Sequence, residues 1–165
     1  MKIGILFGGQ SREREISFAG GRTVYDNLNK NLFEPVPIFI DSLGNFILLN
    51  WQFIYKGTIR DFYPPSQFYP EGDKAFQLYV ESLESGYGEN LNVIISKVGK
   101  RIPVEKLTEY IDFAFLALHG PYGEDGNIQG MLEWLNIPYS GCGILPSSIG
   151  INKVIQKEMM KAAGF

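Results

Sequence analysis

Three short stretches of this sequence gather residue types that could do chemistry. The first is Gly8-Gly9-Gln10-Ser11-Arg12-Glu13-Arg14-Glu15-Ile16-Ser17. Paired glycines allow a sharp backbone turn, and four charged side chains follow where a helix would start. Glu13 and Glu15 would repel a phosphate but could hold a substrate ammonium, or they could simply favour a helix N-terminus. The G-x-G-x-x-G of a dinucleotide-binding loop is absent. The second stretch, His119-Gly120-Pro121-Tyr122-Gly123-Glu124-Asp125-Gly126, has a glycine at every third position, two adjacent acids and the only histidine of the chain. Such glycines let the main chain approach a ligand closely. His119 reads either as structural or, at the end of a buried strand, as functional. One histidine beside two neighbouring acids is not a metal-ligand spacing. The third stretch, Gly141-Cys142-Gly143 through Ser147-Ser148 to Lys153, resembles an anion site at a helix N-terminus without being a P-loop. Lys153 could reach a phosphate or be solvated. Cys142, the only cysteine, has no accompanying base and reads as a small buried packing residue.

The elements needed to position these loops follow from periodicity. Ile3 to Phe7 is a wholly apolar run of the kind found in a strand buried on both faces of a parallel sheet. A helical pattern from about Arg14 to Asn31 carries Ile16, Ala19, Thr23, Val24 and Leu28 on one face. Glu34 to Ile40 predicts a strand, with Pro35 and Pro37 marking an edge or a loosely paired start. After turn chemistry at Asp41–Asn45, Phe46 to Leu49 with Trp51 to Tyr55 predicts an added hairpin. Lys56 to Ala75 has no period and contains an echo, Phe62-Tyr63-Pro64 and Phe68-Tyr69-Pro70. It reads as an insertion whose aromatics pack on themselves, or as a binding surface or lid. Asn92 to Val98 predicts a strand, Val104 to Tyr110 a helical turn, and Asp112 to Leu118 the strongest strand. A helix over Asn127–Leu135, a short strand at Ile137–Tyr139, and a last helix from an N-cap at Ser147 to Ala163, with Gly164 at its C-cap, complete the chain. Strands alternating with helices predict an α/β fold with an open parallel sheet in three layers, Rossmann-like, plus a hairpin and loop insertion. In such sheets ligands bind beyond the carboxyl ends of the strands, where all three loops fall.

Composition narrows the classes. The 165 residues are 45% hydrophobic and 20% charged, sufficient for one globular domain and unlike a disordered or coiled-coil chain. A net charge of −3 argues against a nucleic-acid-binding face. The longest apolar run, Phe113 to Leu118, is far short of the roughly 20 residues that span a membrane. A single cysteine requires no oxidising compartment. These features predict a cytoplasmic domain with no nucleic-acid or membrane partner.

Two of the stretches together resemble a known family. Gly8 to Ser17, and residues 115–153 (FLALHGPYGEDGNIQGMLEWLNIPYSGCGILPSSIGINK), are similar to the N-terminal part of D-alanine–D-alanine ligases. The resemblance is strong over roughly 1–40 and 112–165 and weak between. It implies a pre-ATP-grasp domain occupying 1–165, with ATP-grasp central and C-terminal domains absent from this chain. It implies an ATP- and magnesium-dependent enzyme that joins two D-alanines through an acyl-phosphate for peptidoglycan precursor synthesis. Glu13 then matches the acid that fixes the amino group of the first D-alanine. Ser11, His119, Gly120 and Glu124 match residues beside that substrate, and Lys153 matches a lysine near the nucleotide phosphates. The resemblance also admits a homodimer. Because the cations and metal-binding carboxylates of phosphoryl transfer are not among these residues, the chain alone is expected to be inactive. Two other readings stay open: a stand-alone α/β module binding an amino acid or nucleotide, and a fragment of a D-alanine–D-lactate ligase.

Overall fold

The computed structural model describes residues 1–55, 92, 95–96 and 98–165. Its elements run β1 (Lys2–Gly8), α1 (Arg14–Asn27), β2 (Glu34–Ile40), β3 (Phe46–Leu49), β4 (Gly99–Ile102), β5 (Phe113–Leu116), α2 (Asn127–Trp134), α3 (Ile144–Ile151) and α4 (Lys153–Ala162), with 3₁₀ turns at Trp51–Ile54 and Val104–Glu109. The apolar run at the N-terminus becomes the middle of the sheet: every residue of β1 after Lys2 is buried. The strand order is β4-β3-β2-β1-β5. β1 is parallel to both β2 and β5, whereas β3 is antiparallel to β2 and β4.

The fold is α/β, but the sheet is mixed rather than parallel throughout. The reason lies in the turn at Asp41–Asn45. One Asp41 carboxylate oxygen accepts the N–H groups of Leu43 and Asn45 at 2.8 Å each, and the other accepts the Asn45 side-chain amide at 2.7 Å. That tight Asx-type turn sends the chain straight back along β2, which only an antiparallel strand can follow. The added hairpin is therefore β2–β3, and Trp51–Ile54, expected to form its second arm, coils into a 3₁₀ turn. Asn92–Val98, expected to be a strand, is helical at its described residues; the strand comes next, at Gly99–Ile102. Ile95 and Val98 are both buried and three residues apart, the spacing of a helix face. The aromatic echo at 62–70, and the reading of 56–75 as a lid or packed insertion, lie outside the described residues.

Two apolar layers flank the sheet. Ile3, Ile5 and Phe7 point to one face, where Phe18 of α1 and Phe39 complete an aromatic group with Phe7. Leu6, Ile38 and Ala114 point to the other, under Leu107, Ile128 and Leu132. The alternation is what a strand period of two dictates for a sheet with both faces covered. In α1 the buried face is Arg14, Ser17, Phe18 and Gly21, not the face through Ile16 and Ala19; Ile16 is 62% exposed.

The prolines of β2 sit where they cost nothing. The Glu34 N–H donates to Met1, and the Ile40 carbonyl accepts from Gly9, so the even-numbered residues of β2 face β1. Pro35 and Pro37 therefore point to the other side, and β3 pairs only with Ile38 to Ile40 there. β5 is shorter than expected, and Ile137–Tyr139 contributes a single parallel bridge, Ala114 to Tyr139, against its outer edge. The C-terminal helix is two helices. Asn152 breaks it with an extended ψ of 97°, its side chain accepting the N–H groups of Val154 and Ile155 at 3.1 and 3.2 Å. The first of the two starts after Gly143, and Ser147 lies inside it rather than capping it. Among the described residues no helix is long and apolar enough to cross a membrane.

Candidate functional site

β1 and β5 end side by side, and the first two of the three loops leave from those ends. Gly8 and Gly9 both adopt positive φ (93° and 97°), turning the chain off β1 toward α1. Ser11 is buried, and its hydroxyl accepts the Glu13 N–H at 3.1 Å. The buried Arg14 donates through Nε to the Ser11 carbonyl at 2.9 Å. These contacts fix the backbone before α1 while leaving the Glu13 carboxylate outside helix capping: Glu13 is the N-cap residue but makes no side-chain cap bond.

The second loop comes to meet it. Gly120 has φ +70°, and a Cβ there would stand 2.5 Å from Ser11 Oγ and 2.9 Å from Glu13 Oε2. Only glycine permits that approach. The Gly120 N–H donates to Glu124 Oε2 at 2.7 Å, and Glu124 Oε1 lies 3.7 Å from His119 Nδ1. Both side chains are about half exposed, so this pairing orients the imidazole more than it stabilises the fold. Asp125 ties the rest of the loop down, accepting from Tyr122 N–H at 2.8 Å and from Asn127 N–H at 3.1 Å. Partial burial works to raise the Asp125 pKa, but these N–H groups hold it below the ordinary carboxylate value.

The structure thus brings Ser11, Glu13 and Gly120 together, with His119 and Glu124 on the same loop. Lys153 stands apart. It is the first residue of α4 rather than a turn and a half into a longer helix, is exposed, and reaches Gly150 O and Gln156 Oε1 only at 3.4 and 3.3 Å. It shares a half-polar cleft with Glu124, Gln129, Ser140 and Cys142, whereas His119 lines a neighbouring, largely apolar cleft with Gln10, Gly44 and Met131, the two meeting at Leu118 and Gly123. Cys142 is exposed, not packed. Among the described residues no three acids, histidines or cysteines gather into a metal site; Lys153 fits a single phosphate contact.

Two residues escaped the sequence reading. Gln129, buried in the first turn of α2, donates to the Gly123 carbonyl at 3.1 Å and so holds the second loop. Ser17, fully buried, connects both strand ends. The signal for Ser17 was a polar residue on the inward stripe of α1 beside Phe18 and Gly21.

Comparison with known proteins points to one family. Residues 2–142 match the family model described as D-ala D-ala ligase N-terminus. A D-alanine–D-alanine ligase from Natranaerobius thermophilus is 31% identical over 172 residues, an alignment covering 99% of this chain and 40% of that protein. The ligase structure from Coxiella burnetii superposes with a TM-score of 0.68 at 23% identity, covering 99% of this chain and 42% of its own. The ligase from Bacillus anthracis, solved in complex with ATP, gives 0.57 at 32% identity, with 99% and 36% covered. The chain spans well under half the length of these relatives.

Proposed function

This chain belongs to the D-Ala–D-Ala ligase N-terminus family, and from that premise we propose that it is the part of an ATP-dependent ligase that receives the first of two D-alanines. The observation that carries the reading is the meeting of Glu13 with Gly120 across the ends of β1 and β5. A carboxylate left out of helix capping and facing a second loop suits a charge-assisted bond to an ammonium. Holding that amino group keeps it from acting as a nucleophile. The carboxylate of the same D-alanine then attacks the terminal phosphorus of ATP, and ADP leaves. The amine of the second D-alanine attacks the resulting acyl-phosphate carbon, and phosphate departs. His119, oriented by Glu124, serves as a donor to the reacting carboxylate, Ser11 fixes the Glu13 backbone, and Lys153 contacts a nucleotide phosphate. A magnesium ion, when bound, would supply neutralisation of phosphate charge, and its ligands would come from other parts of an ATP-grasp enzyme. The setting we assign is cytoplasmic peptidoglycan precursor synthesis, in a homodimer.

The test is a chimera in which this chain replaces the matching N-terminal part of the Natranaerobius relative. D-alanine-dependent phosphate release with ATP and magnesium is expected from the chimera and not from the 165 residues alone. A folded chimera that releases no phosphate overturns the proposal.

A further inference from the structure

The strand order reverses between β1 and β5: α1 carries the chain from β1 to β2 on one side, and β5 is added later on the other. Open α/β sheets part at such a position to form a ligand crevice. The β1–β5 ladder runs as far as Leu6 opposite Leu116, and the Ala117 N–H donates to the Leu6 carbonyl at 2.9 Å. In a regular parallel ladder the next rung would carry the Gly8 N–H directly to the Ala117 carbonyl. That rung contains a side chain instead. The Gly8 N–H donates to Ser17 Oγ at 2.8 Å, and the Ser17 hydroxyl donates to the Ala117 carbonyl at 2.6 Å. With a near-tetrahedral angle at the oxygen, these distances separate Gly8 N from Ala117 O by roughly 4.4 Å, against about 2.9 Å for a direct bond.

We propose that Ser17 is a positioning residue whose hydroxyl, inserted in this last rung, holds the two strand ends apart and sets the gap across which Glu13 faces Gly120. The two loops that meet at the candidate site lie beyond that rung: Gly9 to Glu13 after β1, Leu118 to Gly126 after β5. Gly9 and Leu118, the residues next to that rung, begin the two loops, so a change of about 1.5 Å in strand separation there passes directly into both of them. Ser17 is four residues into the first turns of α1, and its own N–H is satisfied by the Glu13 carbonyl at 3.0 Å. Its side chain is therefore not needed to build the helix. It serves the crevice, and the role in substrate use rests on the D-alanine reading above.

The experiment compares Ser17→Ala and Ser17→Thr with the parent. In the 165-residue chain, amide resonances report geometry without any ligand. Ser17→Ala is expected to shift Gly8, Gly9 and Ala117 to Gly120 together, and Ser17→Thr, which keeps the hydroxyl, to leave them near their parent positions. Shifts confined to Gly8 and Gly9 would overturn the proposal, since they would make Ser17 a cap for one strand. This readout decides the matter even if the threonine methyl cannot be accommodated in so buried a site. In the chimera, Ser17→Ala is expected to raise the KM for the first D-alanine at least tenfold, with the KM for ATP changed less than about twofold. Equal changes in both constants, or none, would overturn the positioning role. A parent chimera without activity would instead count against the ligase reading, while the amide shifts still decide the role of Ser17.

Discussion

Gly120→Ala puts the contact between the two loops under direct strain. At φ +70° an L-residue pays about 1–2 kcal/mol for the left-handed conformation. The new methyl would also stand 2.5 Å from Ser11 Oγ and 2.9 Å from Glu13 Oε2. Ordinary carbon–oxygen contact starts near 3.4 Å, so the hydroxyl must retreat by about 0.9 Å and the carboxylate by about 0.5 Å. Ser11 cannot do so freely, because it is buried and its hydroxyl accepts the Glu13 N–H. Crowding of this kind adds about 1–3 kcal/mol. Together the terms predict a loss of about 2–5 kcal/mol, which for a chain of this size lowers the melting temperature by roughly 5–15 °C. Gly150→Ala is the internal control. It lies within α3 with nothing within 4 Å of the added Cβ, and is expected to be neutral or stabilising by up to about 1 kcal/mol. Urea and thermal denaturation followed by circular dichroism read both variants, and the chimera reads D-alanine use. Should Gly120→Ala melt with the parent and retain its KM for D-alanine, the two loops do not touch as described and the candidate site loses its basis.

Further expectations follow from neighbouring features. Glu13→Gln in the chimera should raise the KM for the first D-alanine by an order of magnitude or more while leaving ATP binding nearly unchanged, because a neutral amide forfeits the charge-assisted bond to an ammonium; steady-state kinetics in each substrate check this. Asn152→Ala removes the cap of α4 and should cost about 1 kcal/mol, read as lost helicity and an earlier urea midpoint. Asp125 has a lowered pKa in the folded chain, so its contribution to stability is present above the ordinary carboxylate pKa near 3.8 and is lost as pH falls through the lowered value. Asp125→Asn should flatten that part of the acid limb in denaturation curves taken between about pH 2 and 5.

The strand at Lys2–Gly8 and the helix at Asn127–Trp134 were legible because burial on both faces, and on one stripe, leaves an unmistakable pattern of residues. The mixed sheet was not. Its direction is decided by the side chain of Asp41 folding the chain back at Asn45, and hydropathy does not record which way a strand runs. Asn92–Val98 misled because a short apolar run fits a strand or a buried helix equally, and tertiary packing of Ile95 and Val98 decides between them. The break at Asn152 was present in the sequence as a residue well suited to cap a helix, lost within a longer periodic stretch. Of the candidate site, the loops were readable from their glycines and acids. What holds them at a working distance was not, since Ser17 acts through two backbone groups 109 residues apart in sequence, Gly8 and Ala117.

The prolines of β2 carry a consequence for the behaviour of the chain in crowded solution. A sheet edge recruits a foreign strand through its row of unpaired N–H and C=O groups, a route from a folded domain to β-aggregates and swapped oligomers. Where β3 stops, at Ile38, the side of β2 left without it carries the half-buried Pro35 and the buried Pro37, neither with an N–H to offer. That stretch can accept hydrogen bonds but cannot complete a ladder with another copy. Pro35 and Pro37 thus leave that margin without the donors a foreign strand would need, at no cost to the pairing with β1 on the other side.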